Sequence, residues 1–152
     1  MNAISGQCRN SIISALDHYG LPNSESAIRL LCMVAAHESG KFIYSRQLRG
    51  PALSYFQMEP DTFLDVCNYA SRKGYMLDDL PSAPERLLFD FRFATGIARV
   101  FFLRVPAPLP APHQLKELSV YAKRYWNTRL GKATPGMYLA AYQDFFDDQK
   151  TA

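Results

Sequence analysis

Apolar residues recur at spacings of three and four along most of this chain, and glycine or proline closes nearly every such stretch. That period stacks side chains on one face of a helix, whereas a half-buried strand needs alternation by two. Ile4, Cys8, Ile12, Leu16 and Tyr19 form the first stripe, which Gly20 and Pro22 interrupt. Ser24 then reads as an N-cap with Glu25 favourable in the first turn behind it. Ile28, Leu31, Val34 and Ala35 make the buried face of this second helix, and Gly40 is placed to stop it after Glu38 and Ser39.

The helical period lapses after Gly40. Gly50 and Pro51 mark a turn, and the alternation through Tyr55 and Gln57 predicts a short hairpin or extended segment near residues 41–58. Pro60 and Asp61 open a third helix, expected to run to about Arg72 before Gly74. Pro84 opens another, expected to continue unbroken to about Arg104 as a central buried helix, because its apolar content is nearly continuous. Pro106, Pro108, Pro110 and Pro112 alternate in a stiff connector, read either as a corner between helices or as a docking site for a proline-binding domain. Leu115, Leu118, Ala122 and Tyr125 mark the next helix. Thr134 and Pro135 read as N-cap and first residue of a last one, with Met137, Leu139, Tyr142 and Phe145 on its apolar side. The expected fold class is therefore mainly α, in a single domain over residues 1–152 with no internal repeat.

Composition narrows the function classes. A chain of 152 residues with 48% hydrophobic and 20% charged residues can bury a core without covalent staples. The net charge of +3 admits an anionic polymer as partner but does not point to a nucleic acid. Cys8, Cys32 and Cys67 are odd in number and irregularly spaced, which suits reduced core thiols better than a disulfide framework or a zinc site. The first twenty residues lack the pattern of a signal peptide, and the apolar run around residues 93–105 is broken by Arg99 and Arg104, so neither secretion nor a membrane span is expected.

Chemistry is concentrated in Ala36-His37-Glu38-Ser39-Gly40 and in the segment from Gly50 to Thr62. The first places a carboxyl at the end of an apolar helix, where desolvation favours its protonated form and suits a general acid. The second carries one amide, Gln57, in a turn before a new helix. Glu38 also opposes the helix dipole, which favours a functional reason for its position over a merely solvated one. His37 beside Glu38 invites a metalloprotease reading, but Lys41 stands where HExxH needs its second histidine. Glu59 suits either a second carboxylate for hydrolysis or a favourable charge at a helix start. Tyr125 and Trp126 suit core packing or a sugar platform. Lys123, Arg124, Arg129 and Lys132 form a basic cluster, read as a solvated face or a contact with an anionic polymer. His18 and His113 are isolated. No metal or cofactor is expected.

At Glu38-Ser39 and again at Ala52, Gln57, Pro60 and Thr62, the chain resembles the lytic transglycosylase and goose-type lysozyme families. Their helix ends in Glu-Ser, and a Gly-Ala-x-Gly-Leu-x-Gln-x-x-Pro-x-Thr segment follows. Ser54 stands at the second glycine of that segment, Tyr55 at its leucine and Pro51 at its first small residue. Tyr125-Trp126-Asn127-Thr128, with Gly131 after it, is similar to the families' Ala-Tyr-Asn-Ala-Gly signature. The whole string also resembles small proteins encoded in tailed-phage genomes. The resemblance implies a lysozyme-like domain that cleaves the glycan strands of peptidoglycan between N-acetylmuramic acid and N-acetylglucosamine, with Glu38 as acid and then base. It implies that Ser39 orients Glu38, that Ser54, Tyr55 and Gln57 hold substrate, that Tyr125 positions Glu38 or a sugar, and that Asn127 lines the cleft. The implied setting is a phage virion: synthesis in the host cytoplasm, other virion or tail proteins as partners, and action in the periplasm or cell wall. Ser54 at the glycine position leaves a rival expectation, a lysozyme-fold structural protein of the virion or tail without turnover.

Overall fold

A computed structural model describes residues 2–43, 45, 50–78, 80, 82–127 and 131–146. They are mainly helical, with no strand among them. Helix α1 spans Ala3–His18, with the Asn2 carboxamide accepting from the Ser5 amide at 2.8 Å. Helix α2 spans Glu25–Glu38 and has the expected cap: the Ser24 hydroxyl accepts from the Ala27 amide at 3.2 Å. Ten of its 14 residues are buried, more than one amphipathic stripe requires, because α2 threads the middle of the core. Helix α3, Pro60–Lys73, starts on its proline and ends at Gly74, whose φ of +77° supplies the left-handed cap.

The single helix expected over residues 84–104 is divided. Helix α4, Arg86–Phe89, stops at Asp90 (φ −119°, ψ 88°), and α5, Phe91–Leu103, restarts there. Asp90 produces the break: its carboxylate accepts from the Phe93 amide at 2.9 Å as an N-cap and from Arg86 Nε at 3.1 Å. Apolar periodicity cannot register such a break, because Leu87, Leu88 and Phe91 continue the stripe across it. Helix α5 is the buried element expected. Even Arg99 is 6% exposed, its guanidinium donating to the Pro22 carbonyl at 2.7 Å.

Helix α5 lies close to α1 at one point. A Cβ on Gly96 would meet Tyr19 Cδ2 at 2.9 Å and Leu77 Cδ2 at 3.0 Å. Gly96→Ala should therefore destabilise the protein by about 1–3 kcal/mol through overpacking, read as a lowered urea midpoint. An unchanged midpoint would mean that the Tyr19 ring moves aside freely.

Helix α6, Leu115–Ala122, runs into a π-turn, Lys123–Asn127, and α7 spans Pro135–Phe146. The Thr134 hydroxyl accepts from the Met137 amide at 3.3 Å, so the predicted N-cap is present. The face of α7 is shifted from that expected: Tyr142 is buried as expected, but Tyr138 and Phe146 are buried with it while Met137 is exposed. Helix α2 packs against α1, α5, α6 and α7. The proline-rich connector is a corner tied down by its carbonyls. Tyr121 donates to Ala107 O at 2.9 Å, Ser26 to Pro110 O at 2.7 Å, and Arg29 to Pro112 O at 2.8 Å. Cys8 is half-buried, Cys32 and Cys67 are buried, and all three are free thiols. No helix is long and apolar enough to cross a membrane among the described residues.

Candidate active site

Glu38 is the last residue of α2, half-buried where that helix meets α7. The hydroxyl of Tyr138, a residue with no exposed surface, donates to Glu38 Oε1. Burial raises the Glu38 carboxyl above the ordinary range for a glutamic acid, and the Tyr138 hydrogen bond opposes part of that rise by stabilising the carboxylate. Next to it, the His37 ring lies against the Tyr138 ring, centroids 4.2 Å apart and tilted 46°. Burial lowers the His37 imidazole below its usual value, so it favours the neutral form.

The sign of the Glu38 shift has a consequence for stability. A carboxyl that holds its proton to higher pH in the folded than in the unfolded chain contributes stability below the unfolded value and loses it as pH rises through the folded one. Glu38→Gln should therefore match wild type near pH 4 and exceed it near pH 8, by about 0.5–2 kcal/mol. Thermal melts at both pH values check this. A variant less stable than wild type at pH 8 would contradict the burial argument.

Ser39 caps α2 and is fully buried. Its hydroxyl donates to the Ala35 carbonyl at 2.5 Å and accepts from the Phe42 amide at 2.6 Å. These bonds close the helix end, and neither runs to Glu38, the residue that the resemblance has Ser39 orient. The chain leaves α2 through three consecutive left-handed residues, Gly40, Lys41 and Phe42, with φ of 59°, 62° and 67°. Lys41 then pairs with Asp144 of α7 at 3.3 Å. The Phe42 ring packs on Tyr55 at 5.4 Å and on Phe145 at 5.0 Å.

Among the described residues of the segment expected as a hairpin or extended piece, Leu53 and Met58 form one antiparallel bridge, joined by two backbone hydrogen bonds of 2.8 Å. The residues between them form a tight turn. Ser54 has φ +71° and Gln57 φ +53°, conformations that cost about 1–2 kcal/mol each for residues with a side chain. A glycine would adopt the Ser54 angle without that cost. The Ser54 hydroxyl accepts from the Phe56 amide at 3.0 Å, and Gln57 Nε2 donates to the Ser54 carbonyl at 2.7 Å. Both side chains stabilise the turn that carries them. Tyr55 is half-buried and lies 5.9 Å from Phe91, while Phe56 is buried and stacks on Phe91 at 6.0 Å.

Tyr125 and Asn127 fall in the π-turn, a distortion that often accompanies functional sites. Tyr125 packs against Tyr121, centroids 4.6 Å apart, and Trp126 against Phe101 and Phe102 at 4.6 and 5.4 Å. The hydroxyl hydrogen-bonded to Glu38 is that of Tyr138, while Tyr125, expected to position Glu38 or a sugar, packs on Tyr121. The Asn127 side chain, Thr128 and Arg129 lie outside what the structure describes. Glu59 sits exposed at the N-cap position of α3. A surface hollow of about 620 Å³ between α1 and the start of α5 is lined by Gln7, Asn10, Ser11, Ser14, Phe91 and Arg92, and Glu38 is not part of its lining. Among the described residues no three His, Cys, Asp or Glu side chains converge as metal ligands would.

The structure thus gathers Glu38, His37 and Tyr138 at one end of α2, with the 53–58 turn joined to that end through Tyr55 and Phe42. Sequence reasoning missed Tyr138, although the spacing of Tyr138, Tyr142 and Phe146 by four carried the signal for a buried face. No family model, no curated protein and no solved structure matches this chain.

Proposed function

We propose that this chain is a lysozyme-like enzyme that cleaves peptidoglycan glycan strands between N-acetylmuramic acid and N-acetylglucosamine, as a lytic transglycosylase or muramidase. The observation that carries the reading is the half-buried Glu38 carboxyl at the end of an apolar helix, raised by burial and held by the Tyr138 hydroxyl. Burial favours the protonated acid needed to donate to the glycosidic oxygen as the leaving sugar departs. The Tyr138 hydrogen bond favours the carboxylate needed to take the proton from the muramic 6-hydroxyl while its oxygen closes on C1. One group that must serve as acid and then base works best with these two influences opposed. The motif resemblance at Glu38-Ser39 and around Gln57 supplies the substrate class. The resemblance to phage-encoded proteins supports a virion-associated protein made in the host cytoplasm and acting in the periplasm or wall.

A second reading has its own support. The polar groups of Ser39, Ser54 and Gln57 hydrogen-bond within the protein. That favours a structural role in a phage virion or tail without turnover. Digestion of purified peptidoglycan, with products read by mass spectrometry, separates the two. Anhydro-muropeptides mean a lytic transglycosylase, and reducing-end muropeptides mean a hydrolase with the same acid. No release by folded protein, beside a control enzyme that digests the same substrate, means the structural role.

A further inference from the structure

We propose that the hollow between α1 and the start of α5 binds an acidic saccharide. Arg92 takes its carboxylate, Phe91 lies under a sugar face, and side chains of α1 meet its hydroxyl and amide groups. The site goes beyond the reading of Glu38 and rests on it only for the choice of probe. Its volume of about 620 Å³ falls within the range of about 300–1,000 Å³ usual for small-ligand sites.

Gln7, Asn10, Ser11 and Ser14 line one side. Spacings of three and four put them on one face of α1, turned away from the buried Ile12, Ala15 and Leu16. A helix face that only meets water can take Glu, Lys or Ala, which favour the helix, whereas Ser and Asn disfavour it. Three of these four residues are Ser or Asn. They do not cap the helix, since Asn2 does that. Among the described residues none of the four side chains is hydrogen-bonded. The polar groups of Ser39, Ser54 and Gln57, by contrast, are taken up by their own turns.

Phe91 and Arg92, the first two residues of α5, form the other side. Phe91 is half-buried: it stacks on Phe56 at 6.0 Å and 11° and meets Tyr55 at 5.9 Å. A ring held in this way offers apolar surface to the C–H face of a sugar. Arg92 is exposed in the first turn of its helix, where the dipole disfavours a cation. The nearby Asp90 carboxylate accepts from the Phe93 amide and from Arg86, and among the described residues Arg92 has no ion pair. No Asp or Glu lines the hollow. A ligand carboxylate there gains a charge-assisted hydrogen bond and relieves the opposed dipole. The amide and hydroxyl groups facing Arg92, with the ring beside them, select a sugar to carry that charge.

The test titrates the full chain with N-acetylmuramic acid, with its neutral counterpart N-acetylglucosamine and with acetate, and follows backbone amides by NMR. N-acetylmuramic acid should shift Asn10, Ser11, Ser14, Phe91 and Arg92, with a Kd about three- to fivefold below that of N-acetylglucosamine. Acetate should give no saturable shift there. Arg92→Gln should remove the difference between the two sugars, and added salt should shrink it. Ser11→Phe, which fills the hollow from an exposed helix position, should abolish binding of both. Glu38→Gln should bind as wild type does, so the hollow is read apart from cleavage. Shifts confined to residues around Glu38, equal binding of the two sugars, or acetate as tight as N-acetylmuramic acid would each overturn the proposal. Glycan cleavage without shifts in the hollow removes this site and leaves the Glu38 reading intact, and shifts without cleavage do the reverse.

Discussion

Glu38→Gln is expected to lower the release of muropeptides from purified peptidoglycan by about a hundred- to ten-thousandfold, the range for loss of a general acid–base group. The upper end is expected, because in the proposed reaction one carboxyl serves both proton transfers. Glutamine keeps the volume and can still accept from the Tyr138 hydroxyl, so the fold at the junction of α2 and α7 should persist. The same variant should be at least as stable as wild type at neutral pH, which separates lost chemistry from lost structure. Parallel digestions with equal amounts of folded protein make the measurement. A variant that retains more than about a tenth of wild-type release would remove Glu38 from the chemistry.

Phe56→Ala should destabilise the protein by about 3–5 kcal/mol, as for truncation of a fully packed aromatic ring. Phe56 is 1% exposed, stacks on Phe91 at 6.0 Å and lies 6.3 Å from Trp126. It anchors a turn that cannot hold itself by backbone preference, because Ser54 and Gln57 both occupy the left-handed region. Burial of this ring offsets that cost. Urea denaturation should show a lower midpoint with little change in slope. A loss below about 1 kcal/mol would show that the Leu53–Met58 bridge and the Ser54 and Gln57 hydrogen bonds suffice to hold the turn.

Helix positions were legible where chemistry at the ends agreed with the apolar period. Ser24 caps α2 and Thr134 caps α7 through hydrogen bonds from amides three residues on, Gly74 ends α3 in a left-handed turn, and Pro60 starts α3 because its fixed φ suits a first turn where no N–H is needed. The division at Asp90 was hidden because the period runs through it, and only an aspartate that can cap forward and accept from Arg86 behind reveals it. The candidate acid was legible because Glu38 ends an apolar helix. Its hydroxyl partner was not, because Tyr138 is 100 residues away and its pairing depends on how α7 docks. The resemblance implies that Ser39 orients Glu38, while its hydroxyl bonds to Ala35 and Phe42, since the end of a buried helix leaves carbonyls that a short hydroxyl can satisfy. Of the hairpin or extended segment expected near residues 41–58, the described residues show one antiparallel bridge, Leu53 with Met58, because alternation over so few residues does not distinguish paired strands from a single bridge.

The corner between α5 and α6 has a consequence for anyone who wishes to lengthen, tag or split this chain. Its carbonyls at Ala107, Pro110 and Pro112 meet donors on two different helices. An extended proline-rich segment advances about 3.1 Å per residue and has no internal bonds with which to absorb slack. It therefore works as a ruler: side chains along it can change, but one inserted residue would carry every later carbonyl past its donor. Most loops tolerate a change of length better than their neighbouring helices do, and here that ordering is reversed.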